Sequence, residues 1–301
     1  MRRRIAALGL VAAAVLVGGC GLGPGRGAQD VRVTVSQDFG AGELGTAKRD
    51  TPGADTVLRL LQRSFRVKQH GGFVDAIDGR AGGRRAGRPF DWFYYVNGVE
   101  APVGSAATPA RAGDRIRWDL HDWGAAMDAP AIVADFPEPF LHGVDGKRYP
   151  TRLECAPDAV LACARADRRL GEAGALFARS AFGTAAGKAT LRILVGTWRE
   201  VRASTAARQL ERGVRVSGVY VKPSPSGTSF GVLDARGQTV DERGPGTGLI
   251  AAVRFEGSAP LWLVTGTDET GVRAAAEHLS VDDLHGKWAA LVSGDRVTAA
   301  P

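Results

Sequence analysis

The run Phe90-Asp91-Trp92-Phe93-Tyr94-Tyr95-Val96-Asn97-Gly98 constrains this chain more than any other segment. It reads as a strand closed by an Asn-Gly pair, the favoured two-residue hairpin turn. Successive strand side chains alternate, so Phe90, Trp92, Tyr94 and Val96 share one face while Phe93 and Tyr95 share the other. Further on, Gly113-Asp114-Arg115-Ile116-Arg117-Trp118 is a turn feeding a second strand. A small sheet has one core face to fill. The second aromatic row needs a separate partner, and the alternation leaves either row as the one that faces it.

The N-terminus addresses location. Arg2, Arg3 and Arg4 precede an apolar stretch, Ile5 to Val17, that is too short to span a bilayer as a mature helix. It ends in Leu16-Val17-Gly18-Gly19-Cys20, which resembles a bacterial lipobox. We therefore expect a signal peptide over 1–19, lipidation of Cys20, and a flexible tether over 20–30. Acyl chains on Cys20 would hold the protein at the outer face of the cell membrane without a spanning helix. Loss of the signal lowers the formal charge from +7 to +4, a weak excess for this length. That charge and an extracytoplasmic location argue against nucleic acid as a partner.

Cys155 and Cys163 suit an oxidising compartment. Eight residues of continuous helix would separate them by about 12 Å, too far for a disulfide. A bond therefore requires Cys155 to precede a helix that starts near Pro157, with the chain folding back. A metal or redox pair is the alternative, but nearby ligands and Cys-x-x-Cys spacing are lacking.

The expected class is α+β: a small domain over 31–127, then an α/β domain over 128–301 with a parallel or mixed sheet. Val31, Val33 and Val35 alternate with polar residues, as in a half-buried strand. Asp55 or Thr56 can cap a helix through Val57, Leu58, Leu61 and Phe65. Phe73 to Ile77 reads as a strand, and Arg80 to Arg88 as an Arg-rich loop. In the second domain Leu191 to Thr197 is echoed by Leu261 to Thr267, a weak internal repeat. Helices are expected after each, through Ala203, Ala206, Ala207 and Leu210, and through Val272, Ala275, Ala276 and Leu279. Further strands are expected at Val216–Val221, Phe230–Leu233, Leu249–Phe255 and Ala289–Val292. Asp128 to Pro150 reads as a linker or an edge segment.

Together, the Thr56-Val57-Leu58-Arg59-Leu60-Leu61 helix start, the Trp92 to Gly98 strand and turn, and the Gly113 to Trp118 strand resemble the C-terminal domain of transcobalamin and intrinsic factor. That family has many bacterial members on surface proteins and lipoproteins, mostly of unassigned function. The resemblance covers about a third of the chain and implies a β-grasp-like fold that forms one lid over a corrinoid. It departs in one respect: nothing in this chain could build the α/α barrel that forms the other lid. A corrinoid role therefore implies a separate partner chain, a barrel-type protein or a transporter at the cell surface. Trp92 and Tyr94, or else the opposite pair Phe93 and Tyr95, with Asn97 and Trp118 nearby, would face such a ligand; the plainer alternative is that these aromatics pack a small core and its edge.

Candidate chemistry is sparse. Asp119 and His121 would share a strand face and could meet one metal ion, but no third ligand is identifiable. Arg80, Arg84, Arg85 and Arg88 could bind phosphate groups. Gly183 to Lys188 departs from a P-loop in spacing, in Ala189, and in preceding a strand instead of following one. The Gly196-Thr197 and Gly266-Thr267 turns could hold an anion. The expectation is a non-catalytic, lipid-anchored binding or accessory protein without a cofactor, with corrinoid uptake its sharpest version. The alternatives are a metal-dependent envelope hydrolase using Asp119 and His121, or a wall-adhesion module using the Arg loop.

Overall fold

The computed structural model describes residues 27–51 and 53–301. The expected signal peptide and the lipidation at Cys20 lie outside the described residues. Ala28, placed in the tether by the sequence reading, is already part of the fold. It is buried, and it exchanges hydrogen bonds with Thr51, which donates to its carbonyl at 2.7 Å.

The first unit comprises β1 (Val31–Gln37), β2 (Gly42–Arg49), α1 (Val57–Ser64), β3 (Val67–His70), β4 (Phe73–Ile77), β5 (Arg80–Ala81), β6 (Gly83–Arg85), β7 (Arg88–Val96), β8 (Val99–Glu100) and β9 (Arg115–Asp122). Its main sheet has the order β2-β1-β9-β7-β6, with β8 beside β7. The central pair, β1 and β9, is parallel, and hairpin partners flank it antiparallel. Thr56 caps α1 by accepting from the Arg59 amide. Val57, Leu60 and Leu61 then pack on the face made by Val33, Val35, Trp92, Tyr94, Ile116 and Trp118. The Arg80–Arg88 stretch is not a loop. Gly83, Arg84 and Arg85 pair back onto Phe90, Pro89 and Arg88, because the turn between them can adopt left-handed backbone at Ala86 and Gly87.

The second unit comprises β10 (Thr151–Cys155), α2 (Val160–Glu172), β11 (Ala178–Ala181), β12 (Leu191–Thr197), α3 (Trp198–Val201), α4 (Val214–Ser217), β13 (Val221–Pro223), β14 (Phe230–Leu233), β15 (Thr239–Arg243), β16 (Thr247–Val253), β17 (Leu261–Gly266), α5 (Glu269–Glu277), α6 (Val281–Leu284), β18 (Ala289–Ser293) and β19 (Arg296–Ala300). One sheet of order β11-β10-β12-β17-β16-β18-β19 carries it, parallel from β11 to β17 and antiparallel beyond. Sheets of mixed direction with few helices confirm the α+β class. Helices α2 and α5 cover one face of this sheet. Trp198, Leu210, Val221 and Phe230, from α3 to the small β13-β14-β15 sheet, cover the other.

The two repeat strands, β12 and β17, lie side by side in parallel, with Ile193 opposite Trp262 and Val195 opposite Val264. Their helices differ. After β17 the chain forms α5 as expected. After β12 the helix stops at Val201, and a 3-10 helix over Ala207–Arg212 replaces the helix expected through Ala203 to Leu210. Ser204 and Thr205, weak helix formers, sit at the break. The strand expected at Val216–Val221 begins instead as the single turn α4, bracketed by Gly213 and Gly218 at positive φ. At Gly218 a Cβ would come within 2.5 Å of Ala129, so the chain turns there against the inter-unit segment.

Asp128 to Pro150, expected as a linker or an edge segment, is a strap packed into the second unit. Ala131, Val133, Phe136, Phe140 and Val144 from this strap are buried in the core on the α2/α5 face, and both phenylalanines pack on Trp262. Its other side touches the first unit: the Ile132 amide donates to Gly98, and buried Arg117 of β9 donates twice to Asp135, at 2.7 and 3.1 Å.

Candidate binding groove on the first unit

Strand β7 separates two environments. Trp92 and Tyr94 face the α1 core, where Tyr94 stacks on Trp118 with centroids 5.0 Å apart. The opposite row meets the second unit. Tyr95 is fully buried against Trp288, and Phe93 stacks on His121. Phe39, Ile132, Tyr220 and Leu233 complete this inter-unit core. Much of the second aromatic row is therefore accounted for by the protein itself.

Asp119 and His121 do share a face, with His121 Nδ1 3.0 Å from Asp119 Oδ1. Both are buried in the inter-unit core. The Asp119 carboxylate also accepts from Ser36 Oγ (2.6 Å) and from the Phe39 and Gly40 amides (3.1 and 2.9 Å). Burial pushes its carboxyl up, but the His121 hydrogen bond and charge, with Ser36 and Gly40, hold it below the usual range. Its geometry is that of an anchor for the β1–β2 turn. Among the described residues no group of three or more His, Cys, Asp or Glu side chains is placed to hold a metal ion.

Asn97 is also engaged inside the fold. At φ 55° it forms the β7–β8 turn, donates to Asp114 (3.0 Å) and Gly143 (3.1 Å), and accepts from the Arg115 amide. Trp118 is 2% exposed. Of the six expected ligand-facing residues, Trp92, Phe93, Tyr94 and Trp118 line the groove beside β7, whereas Asn97 and Tyr95 are engaged by the turn and by the second unit.

A groove of about 970 Å³ lies along the outer edge of β7. Its walls are the β3–β4 hairpin tip, the segment Glu100 to Ala107, and Trp92, Phe93, Tyr94 and Trp123. Phe73 (75% exposed), Val103 (54%) and Met127 (55%) stand on its rim. The tip is a Gly71-Gly72 turn with both residues at positive φ, which presents Phe73 to solvent. Tyr94 Oη fixes the opposite wall by donating to the Val103 carbonyl and contacting Thr108 Oγ1. Trp123 Nε1 donates to Asp91 at 2.8 Å. Glu100, largely buried, has its carboxyl pushed up to about 7, first by burial and then by the charge of Asp128. The hairpin tip, the 101–107 segment, Trp123 and Met127 were not singled out in the sequence; an exposed Phe after a Gly-Gly turn is the one local signal that could have found them.

The four arginines do not form one cluster. Arg80 donates to Gln37, Arg84 to the Gly87 carbonyl, Arg85 lies over the Phe90 ring, and Arg88 pairs with buried Asp122. The two strand-to-helix turns already carry carboxylates. Glu200 accepts from Thr197 N and Oγ1, and Asp268 from Gly271 N and Gly246 N, so the donors an anion would use there are engaged. Cys155, at the end of β10, is bonded to Cys163 in the first turn of α2, with Cα atoms 5.8 Å apart.

No curated protein matches this chain. The solved structure of a "putative metal binding protein" from Ruminococcus gnavus is similar at 16% identity, covering 31% of this chain and 97% of that one, with a TM-score of 0.27. Residues 54–122, from the cap of α1 to the end of β9, match the family model described as a domain of unknown function, DUF4430. Over those elements, the groove-bearing ones, the chain is similar to that domain of unknown function.

Proposed function

We propose that this is a non-catalytic, lipid-anchored binding or accessory protein that presents the β7 groove at the outer face of a cell membrane. The groove carries the reading: it combines aromatic walls, exposed apolar side chains and a few polar groups, the composition of small-ligand sites. The lipobox-like run ending at Cys20 supports the location. No helix among the described residues is long and apolar enough to cross a membrane. The resemblance to the C-terminal domain of transcobalamin supports a corrinoid as the ligand. The groove's rim side chains Phe73, Val103 and Met127 are exposed, which suits a site completed by a partner chain.

Titration of the mature protein with cobalamin and cobinamide, followed by corrinoid absorbance and tryptophan quenching, tests the ligand. A saturable change weakened by Trp123→Ala is expected. No change, with or without a barrel-type partner, overturns the corrinoid version. Cys20→Ser tests the anchor, with release of the protein from membranes expected.

A further inference from the structure

Hydrogen-bond direction alternates along an antiparallel strand, so each residue of β7 offers its backbone groups to one neighbour only. The Asn97 amide donates to Arg115 on the β9 side, which assigns the odd-numbered residues to β9. The even-numbered residues then point outward. On that edge β6 pairs with Arg88 to Phe90, and β8 pairs only with Tyr95 and Val96. Ala101 donates to the Tyr94 carbonyl at 3.3 Å. Among the described residues, the N–H and C=O of Trp92 and the N–H of Tyr94 have no strand opposite them. This gap in an otherwise paired edge opens into the groove.

The charge around the gap is one-sided. Among the described residues, Asp75 and Asp91 line the groove together with Glu100, whose raised carboxyl is only partly ionised at neutral pH, and the lining contains His70, 2.8 Å from Asp75, but no Lys or Arg, although the chain has 39 Lys and Arg against 32 Asp and Glu. Arg80, Arg84 and Arg85, close by in sequence, are turned to other partners. An unpaired edge with the Asp75 and Asp91 carboxylates beside it and apolar side chains on its rim matches an extended segment that alternates basic and apolar residues.

We propose that the partner chain docks by adding such a basic, extended segment as a short strand to the outer edge of β7, between β6 and β8. The proposal rests on the reading of this groove as the binding face and names the class of partner that completes it. Backbone bonds to Trp92 and Tyr94 fix the register, the carboxylates select for Lys or Arg, and Phe73, Val103 and Met127 receive the apolar positions.

The mature protein, titrated with a capped Lys-Val-Lys-Val-Lys-Val peptide, tests this by calorimetry and by amide hydrogen exchange. Saturable binding that slows exchange at the Trp92 and Tyr94 amides is expected. Methylating alternate peptide nitrogens should weaken binding about tenfold per bond lost. Asp75→Asn and Asp91→Asn should each weaken it about threefold, and added salt should weaken it further. A Glu-Val counterpart should not bind. Equal binding of the methylated peptide, or binding without protection at Trp92 and Tyr94, overturns strand addition. Protection of these amides that rises with protein concentration and without peptide would make a second copy the occupant, which also overturns it. A cobinamide titration in parallel separates the two readings: corrinoid binding without peptide binding sinks only the strand-addition proposal, and failure of both sinks the groove as the binding face.

Discussion

Phe93 lies over His121, with ring centroids 4.5 Å apart and planes 24° from parallel. Trp288, from the second unit, meets the same imidazole edge-on at 4.7 Å. A histidine of the first unit is thus packed by aromatic rings from both. Removing Trp288 by substitution to Ala empties the centre of that contact, at a cost of about 3–5 kcal/mol. Urea unfolding followed by circular dichroism should then resolve two transitions where one is expected for the native protein; a single unshifted transition would contradict the coupling.

Gly40 tests the same junction from the backbone. Its φ is 80°, and a Cβ there would lie 2.2 Å from the carbonyl oxygen of Gly286 in the second unit. Gly40→Ala should lower stability by about 2–3 kcal/mol, from steric displacement and backbone strain together. Thermal unfolding measures it, and a surface glycine such as Gly187, which has open space around it, is the control.

Asp119 acts as an acid-sensitive pin. Its folded carboxyl is held below its unfolded value, so its contribution is present above about pH 4 and is lost as pH falls through the lower folded value. Asp119→Ala strands the donors of Ser36, Phe39 and Gly40 and should cost about 3 kcal/mol or more at neutral pH. Denaturation midpoints between pH 2 and 7 should flatten at the acid end in Asp119→Asn.

Glu100 has the opposite sign. Its carboxyl is raised to about 7 in the fold from 4.5, so the folded state holds a proton that the unfolded chain releases. Its contribution is fully present below 4.5 and is lost as pH rises through about 7. Urea midpoints should therefore fall between pH 5 and 8 in the native protein, and the fall should shrink in Glu100→Gln.

The Cys155–Cys163 bond closes a loop with a sequence separation of 8. Its loss in Cys155→Ser/Cys163→Ser should cost about 2–3 kcal/mol by loop entropy. Thiol titration of the unfolded native protein, before and after reduction, confirms the bond, and the shift in denaturation midpoint gives its worth.

Much of the first unit was legible because its signals are local. Alternation set β1 and β7, Thr56 marked the start of α1, and the Gly-Gly pair preceded β4. The parallel strands β12 and β17 were legible from their shared pattern, and the structure sets them side by side. What failed depended on contacts distant in sequence. The helix expected through Ala203 to Leu210 breaks at Ser204 and Thr205, where the layer over Phe230 and Val221 sets the path. The strap looked like a linker because the residues that bury it, Trp262 and Arg117, lie far along the chain or in the other unit. Asp119 and His121 looked like ligands because strand period gives a shared face but not what that face meets. The groove was least legible: its walls come from the hairpin tip, the 101–107 segment and Trp123, and the gap on β7 exists only through the strands that stop short of it.

The strap also bears on how such a protein can be taken apart. The DUF4430 match begins at residue 54 and ends at 122, yet β1 inside the first unit and Ile132, Arg117 and Asp135 across its far side hold those residues in place. The limits of the matched stretch are not the limits of the packed unit. Moving the matched stretch alone into another protein would leave the parallel edge of β9 bare and Arg117 without its carboxylate. Anyone grafting the groove would have to carry residues 27 to 150 as the cassette and supply a new apolar surface for Phe136 and Phe140.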